Sequence, residues 1–349
     1  MKKNSISRRT FVATAAAGSL TGAVAGATPA WARTALTVYT AYENDDLSSY
    51  KKAFEAAQSD VSINWVRDST GVVAAKLLAE KDNPRADVVW GLAVTNLDLV
   101  KAQGLLVPYA PPSLDKILPA FRDPAQPPAW VGNNAWVCAM AYNEVEGKKR
   151  NAPKPATWTD LTNPAFRGQI VMPHPASSGT GFMYVSAWLQ FYGEEKGWKL
   201  MDGLHENISR YTHSGSAPAV IAARGEAVVG LAFEFRASRL KQEGAPIDIV
   251  MPKEALGWDM NAVAIVKGTK KLDAARKLVD WACSAEAMRL YGKTRSVVAM
   301  PGMAQALPFM PADLPERLMK QDFAWASANR ERILAEWEKR YGGKAEPRK

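Results

Sequence analysis

The chain has 349 residues, a formal net charge of +9 and 23% charged residues, with two cysteines and three histidines. That length can build a large core and favours division into two lobes. The basic excess is spread out, with no dense Lys/Arg block interleaved with aromatics, which argues against a nucleic-acid surface. His174, His205 and His213 form no pair at metal spacing with each other or with cysteine, which argues against zinc.

Residues 1–9 carry four basic residues and no acid, and 10–32 carry no charge. The second run is too rich in Ala, Gly and Thr for a membrane span, which needs about 20 strongly apolar residues. Ser7-Arg8-Arg9-Thr10-Phe11-Val12 reads as a twin-arginine export signal, with a small-x-small cleavage site at Ala30-Trp31-Ala32. Cleavage near Ala32 would place 317 residues in the periplasm and lower the net charge from +9 to +5.

Beyond the signal, strands and helices alternate. Leu36–Tyr39 predicts a strand, and Leu47, Tyr50, Phe54 and Ala57 form a helical stripe. Val61, Ile63 and Trp65 alternate as a strand, followed by a helix from Thr70 bearing Val73 and Leu77. Residues 86–90 read as a buried strand, and another helix ends at Gly104. This order argues for a mostly parallel sheet with helices on its faces. A Pro-rich stretch from Pro108 to Pro128 precedes a long apolar strand, Trp130 to Tyr142, that reads as a crossing into a second lobe. There the pattern predicts a strand at 169–172, helices at 180–192, 194–204 and 216–224, and a strand at 228–233. Ile247–Met251 and Asn261–Val266 read as returning strands, and helical segments at 271–282, 284–292 and 314–341 finish the chain. The expected fold is α/β with two lobes and a cleft between them. Residues 33–135 and 258–308 form lobe 1; 136–257 and 309–349 form lobe 2.

The candidate ligand-binding loops fall at predicted strand C-termini, the edge at which open α/β sheets bind ligands. Pro175 to Phe182 is rich in small and hydroxyl residues and opens a helix; Ser177, Ser178, Gly179 and Thr180 supply hydroxyls and free first-turn N–H groups suited to an oxyanion. Ser69, Thr70 and Gly71 open another helix in the same way, although helix capping alone accounts for their residue types. Neither loop ends in the Gly-Lys-Ser/Thr of a nucleotide P-loop. Glu234 lies between Phe233 and Phe235, where a carboxylate is costly unless paired. It reads either as a counter-ion for a ligand cation or as a partner of Arg236 or Arg239. Asp259 is a second candidate carboxylate or a hinge-turn residue, and Tyr42 a hydroxyl or aromatic wall. Glu43 is expected to be solvated or to cap the following helix. Cys138 and Cys283 lie in apolar runs and read as two buried thiols. No Gly-x-Ser-x-Gly elbow or Ser/His/Asp set supports catalysis.

Leu36 to Glu43, Trp65 to Gly71, Ala75 to Pro84 and Ala86 to Gly91 resemble the periplasmic solute-binding proteins of ABC importers. Ser214 to Pro218, Ala245 to Ile249, Gly257 to Asp259 and Ala264 to Thr269 extend the likeness over nearly the whole chain after the signal. Within that family the chain resembles the ferric-binding-protein-like group, and most closely its 2-aminoethylphosphonate-binding subgroup. The resemblance implies a type II two-lobed fold, an inner-membrane permease as partner, and a monomeric, non-catalytic protein that needs no cofactor. Ferric-binding relatives carry adjacent tyrosines where this chain reads Ala232-Phe233-Glu234-Phe235, which disfavours Fe³⁺. The implied ligand is an aminophosphonate, its phosphonate held by the two hydroxyl loops and its ammonium by Glu234 and Asp259. A binder of Fe³⁺ or another oxyanion is the alternative, and a periplasmic phosphonate-processing enzyme a more distant one.

Overall fold

A computed structural model describes residues 33–347, so the export-signal reading lies outside the described residues. The first half runs β1 (Thr34–Thr40), α1 (Asn44–Ala57), β2 (Val61–Arg67), α2 (Thr70–Ala79), β3 (Val88–Ala93), α3 (Val94–Ala102), β4 (Leu106–Val107) and β5 (Val131–Asn143). Then follow α4 (Glu144–Lys149), β6 (Ile170–Pro173), α5 (Gly179–Tyr192), α6 (Glu194–Asn207), β7 (Ile208–Thr212), α7 (Ala217–Ala223), β8 (Val229–Phe233), α8 (Glu234–Gln242) and β9 (Ile247–Val250). The chain ends with β10 (Trp258–Val266), α9 (Leu272–Ala282), α10 (Ala285–Tyr291), α11 (Leu314–Arg317), α12 (Phe323–Ala328) and α13 (Arg330–Tyr341).

The strands follow the order β2-β1-β3-β10-β5-β8-β6-β7. Pairing is parallel among β2, β1 and β3, and again among β7, β6 and β8. Between these two wings run β5 and β10, antiparallel to each other and to their outer neighbours. The sequence reading of a mostly parallel sheet thus holds within each lobe, and the junction is antiparallel. β5 and β10 are buried at every position, as strands covered on both faces must be. β5 pairs with β10 through one half and with β8 and β9 through the other, so it passes from one lobe to the next as a single strand.

Each lobe has its own core. Lobe 1 packs Leu36, Val38, Phe54, Trp90, Leu278 and Trp281; lobe 2 packs Trp158, Phe182, Tyr184, Trp188 and Trp337. In α1 Leu47, Tyr50 and Phe54 give the inward stripe the sequence predicted, while Ala57, the last residue of the helix, is exposed. The predicted helix over 314–341 is instead three pieces. Leu314 is buried in the lobe 1 core with Met310, Met319 and Phe323 packed against it, while Ala326, Ile333 and Trp337 join lobe 2. The apolar contacts of this segment thus pass from the lobe 1 core to the lobe 2 core near Phe323–Ala326. There the Asp322 side chain accepts from the Trp325 N–H and restarts the helix. Both cysteines are free and buried, in separate cores.

Candidate functional site

Five strand-to-helix turns converge on the cleft between the lobes. Their residues line a chamber open to solvent: Tyr42 and Glu43 after β1, Ser69 and Thr70 after β2, Ser178 to Thr180 after β6, Gly215 after β7, and Phe233 and Phe235 around the end of β8. Trp136 and Asn261 from the crossing strands form the floor, and Arg67 and Arg295 complete the wall.

Two helix N-termini, one per lobe, bring uncommitted hydrogen-bond donors to the chamber. At α2 the Thr70 amide and the Ser69 and Thr70 hydroxyls have no partner among the described residues. At α5 the Gly179 and Thr180 amides and the Thr180 hydroxyl are likewise uncommitted. The Ser178 Oγ caps α5 by accepting from the Gly181 N–H at 3.3 Å and can still donate. The two ends nearly touch, since a Cβ built on Gly179 would lie 2.9 Å from the Thr70 Oγ1. Gly215 sits over the same hydroxyls, its Cβ position 2.5 Å from Thr180 Oγ1 and 2.8 Å from Ser178 Oγ. Free first-turn donors and aligned peptide dipoles favour negative charge here from both sides.

Two members of the expected loops serve a different purpose. The Gly71 N–H donates to the Ser177 carbonyl at 2.9 Å, so it joins the lobes rather than facing a ligand. A Cβ at Gly71 would stand 2.0 Å from the Ala176 oxygen, which explains glycine at this contact. The Ser177 hydroxyl turns away, toward the His174 and His213 carbonyls at 3.4 and 3.3 Å.

Tyr42 is held edge-on against Tyr50 and Trp90, and its hydroxyl accepts from Asn134 Nδ2 at 3.0 Å. Asn134 in turn accepts from Asn261 at 2.8 Å, so the crossing strands fix the ring's position. Gly91, at φ +90°, leaves room for that ring, because a Cβ there would fall 2.1 Å from it. Burial pushes the Tyr42 phenol well above its ordinary value, aided by nearby Tyr50, so it offers a hydroxyl and not a phenolate.

Neither expected carboxylate lines the chamber. Glu234 is the first residue of α8 and fully buried; its Oε2 accepts from the Val137 N–H of β5 at 2.7 Å, and Oε1 has no hydrogen-bond partner among the described residues. Burial raises its pKa to about 7, against a lowering by the Val137 bond and by Arg295. Neither Arg236 nor Arg239 pairs with it, since both meet Asp45. Asp259, also fully buried, accepts from the Val94 N–H at 3.2 Å, Thr95 Oγ1 at 2.7 Å and the Met260 N–H at 2.7 Å. It caps α3 from a neighbouring strand, and burial lifts it to about 7 despite those bonds. Both residues belong to the junction of the lobes.

The carboxylate that does line the chamber is Glu43, which makes no side-chain cap on α1 and faces Arg67 at 3.7 Å. Burial raises its pKa, opposed by Arg67, Arg236 and Arg295. Arg67 also donates to the Tyr42 carbonyl at 3.1 Å. Arg295 is almost wholly buried, pairs with Asp46 and lies over the Phe235 ring at 3.4 Å, lobe 1 against lobe 2. Burial opposes its charge, yet Asp46 holds the guanidinium above its ordinary value. No local pattern marks Arg67 or Arg295 in the sequence, because only the tertiary fold brings them to the cleft.

A family model for bacterial extracellular solute-binding proteins matches residues 83–330. An uncharacterized protein of Haemophilus influenzae is 34% identical over 296 residues, 84% of each chain. A Salmonella paratyphi A relative, provisionally named a 2-aminoethylphosphonate-binding periplasmic protein, is 26% identical over 74% of this chain and 77% of its own. Among solved structures, the periplasmic binding protein AfuA from Actinobacillus pleuropneumoniae, with exogenous fructose-6-phosphate bound, superposes with a TM-score of 0.82. It is 33% identical and covers 88% of this chain and 99% of its own. Iron-bound HitA from Pseudomonas aeruginosa shares the fold at 20% identity and a TM-score of 0.74, covering 87% of this chain and 99% of its own.

Proposed function

Because the chain belongs to the bacterial extracellular solute-binding proteins, we propose that it captures a small phosphorylated organic anion in the cleft for delivery to its permease. It is a periplasmic solute-binding protein of an ABC transporter, and its relatives are binding proteins rather than enzymes. The observation that carries the ligand class is the facing pair of helix N-termini. Three amides uncommitted among the described residues, at Thr70, Gly179 and Thr180, and the hydroxyls of Ser69, Thr70, Ser178 and Thr180 surround a volume whose donors suit an oxyanion. Charge-assisted bonds of this kind are roughly twice as strong as neutral ones.

The other end of the chamber suits a hydroxylated carbon skeleton. Tyr42, Asn261 and Glu43 provide polar atoms, and Trp136, Phe233 and Phe235 provide ring faces. A sugar phosphate fits this combination, and fructose 6-phosphate is the ligand in the AfuA structure. β5 and β10 act as the hinge, and closure brings the two N-termini together on the anion.

A second reading, 2-aminoethylphosphonate, draws on the subgroup resemblance and on Glu43, the carboxylate in the chamber that could meet an ammonium. Its drawback is physical: Glu234 and Asp259 lie in the junction, and Glu43 already faces a guanidinium. For Fe³⁺ the chamber offers one tyrosine, Tyr42, in its neutral form. The test is calorimetric titration of the ligand-stripped protein with fructose 6-phosphate, 2-aminoethylphosphonate and Fe³⁺. Tight binding of the sugar phosphate supports the proposal. Preference for the aminophosphonate favours the second reading, and a coloured ferric complex without phosphate binding would overturn both.

A further inference from the structure

A second, larger chamber adjoins the first and shares Glu43, Phe235 and Arg295 with it as a partition. Half of its lining residues are charged: Arg236, Arg239, Lys293 and Arg295 against Glu43, Asp45 and Asp46. The pairing leaves one cation over, Lys293, and gives two arginines a single carboxylate of the chamber to share. Glu43 faces Arg67, and Asp46 is taken by Arg295. Asp45 alone serves Arg236 at 3.5 Å and Arg239 at 2.9 Å, while Glu243 meets Arg239 from outside the chamber at 3.3 Å. The Arg236 Nε is buried without a partner, and Lys293 makes no ion pair among the described residues. An unpaired buried guanidinium nitrogen is costly unless something else comes to meet it.

We propose that this chamber is a second anion subsite, so that the preferred ligand carries a second negative group at the end remote from its phosphoryl cradle. The inference rests on the reading of the cradle as a phosphoryl site. Asp45 from lobe 1 reaches across to the lobe 2 arginines that such a group would engage. A bound carboxylate or second phosphate would take over Arg239 and engage Arg236 and Lys293 as well, with both lobes contributing.

The test compares fructose 6-phosphate with fructose 1,6-bisphosphate by calorimetry on the ligand-stripped protein. The bisphosphate binds at least about tenfold more tightly, the effect of one added charge-assisted contact. Arg239→Gln and Lys293→Gln each remove most of that preference and leave fructose 6-phosphate affinity near that of the parent. Asp45→Asn acts in the opposite direction and strengthens bisphosphate binding, because it frees the arginines. If Asp45 only ties the lobes together, Asp45→Asn and Arg239→Gln weaken both ligands alike, which would overturn the subsite. Equal or weaker binding of the bisphosphate overturns it too while leaving the cradle intact. Failure of both ligands to bind would overturn the subsite and the sugar-phosphate reading together.

Discussion

Gly71→Ala separates closure from folding. Gly71 is the second residue of α2 and has ordinary helical geometry, so alanine suits the helix itself. Alanine is intrinsically favoured over glycine in helices by about 0.8–1 kcal/mol. With the two loops in contact, however, its Cβ would stand 2.0 Å from the Ala176 carbonyl oxygen, and 3.0 Å from the Ala176 and Ser177 carbonyl carbons. Those atoms belong to the backbone of the other lobe, so no side chain can swing aside. Relieving the overlap costs about 1–3 kcal/mol, and separating the loops removes the 2.9 Å bond to Ser177, worth about 0.5–1.5 kcal/mol. Together these weaken ligand binding by roughly tenfold to a thousandfold. Opening about the proposed hinge would part the loops and remove the clash. Thermal melting without ligand, at a concentration that leaves the lobes free to open, should show Tm unchanged or slightly raised. Calorimetry with the phosphorylated ligand should show the loss, and small-angle scattering should show a larger radius of gyration with ligand than the parent has. Parent-like affinity would refute the reasoning, as would a fall in ligand-free stability matching the loss of affinity.

Other predictions follow from the buried carboxylates and the cradle. Burial raises Glu234 from 4.5 to about 7, so the folded chain holds this proton more tightly than the unfolded chain. Its contribution is therefore full below about pH 4.5 and is lost as pH rises through 7; the Tm of Glu234→Gln relative to the parent should rise between pH 5 and 8, by the equivalent of about 2 kcal/mol. The same substitution should leave the ratio of 2-aminoethylphosphonate to simple phosphonate affinity unchanged, since the carboxylate bonds to Val137; a selective loss would return it to the ligand site. Asp259→Ala strands the Val94 and Met260 amides and the Thr95 hydroxyl, and should lower stability by at least about 2 kcal/mol in denaturant titration. Thr180→Val removes one uncommitted hydroxyl and should weaken phosphoryl binding about tenfold in calorimetry, with little change in ligand-free Tm.

The two cradle loops were legible because hydroxyl and glycine residues at a strand-to-helix turn leave the same signature wherever they occur. Capping and ligand binding use the same donors, and for Ser69 and Thr70 only the missing side-chain cap separates the two. Gly71 and Ser177 matched the pattern equally well. Which amide of a turn faces the ligand and which faces the other lobe depends on how the lobes meet. Glu234 stood out for its chemistry, and the sequence cue, a carboxylate between two phenylalanines, was sound as a sign of burial. Its direction was not readable, because the first residue of α8 points back at β5 rather than into the cleft. Arg67, Arg295 and the chamber cations carry no local pattern at all. The continuous helix expected over 314–341 was broken by a change of core: residues around Leu314 satisfy lobe 1 and those from Ala326 satisfy lobe 2.

The central claim is that two helix N-termini, one from each lobe, grip a phosphoryl group. A crystal structure of the protein grown with fructose 6-phosphate tests it most directly. Phosphoryl oxygens should lie within about 3 Å of the Thr70, Gly179 and Thr180 amides and of the cradle hydroxyls, with the sugar toward Tyr42 and Glu43. A phosphoryl group held elsewhere, with those three amides left to water, would contradict it.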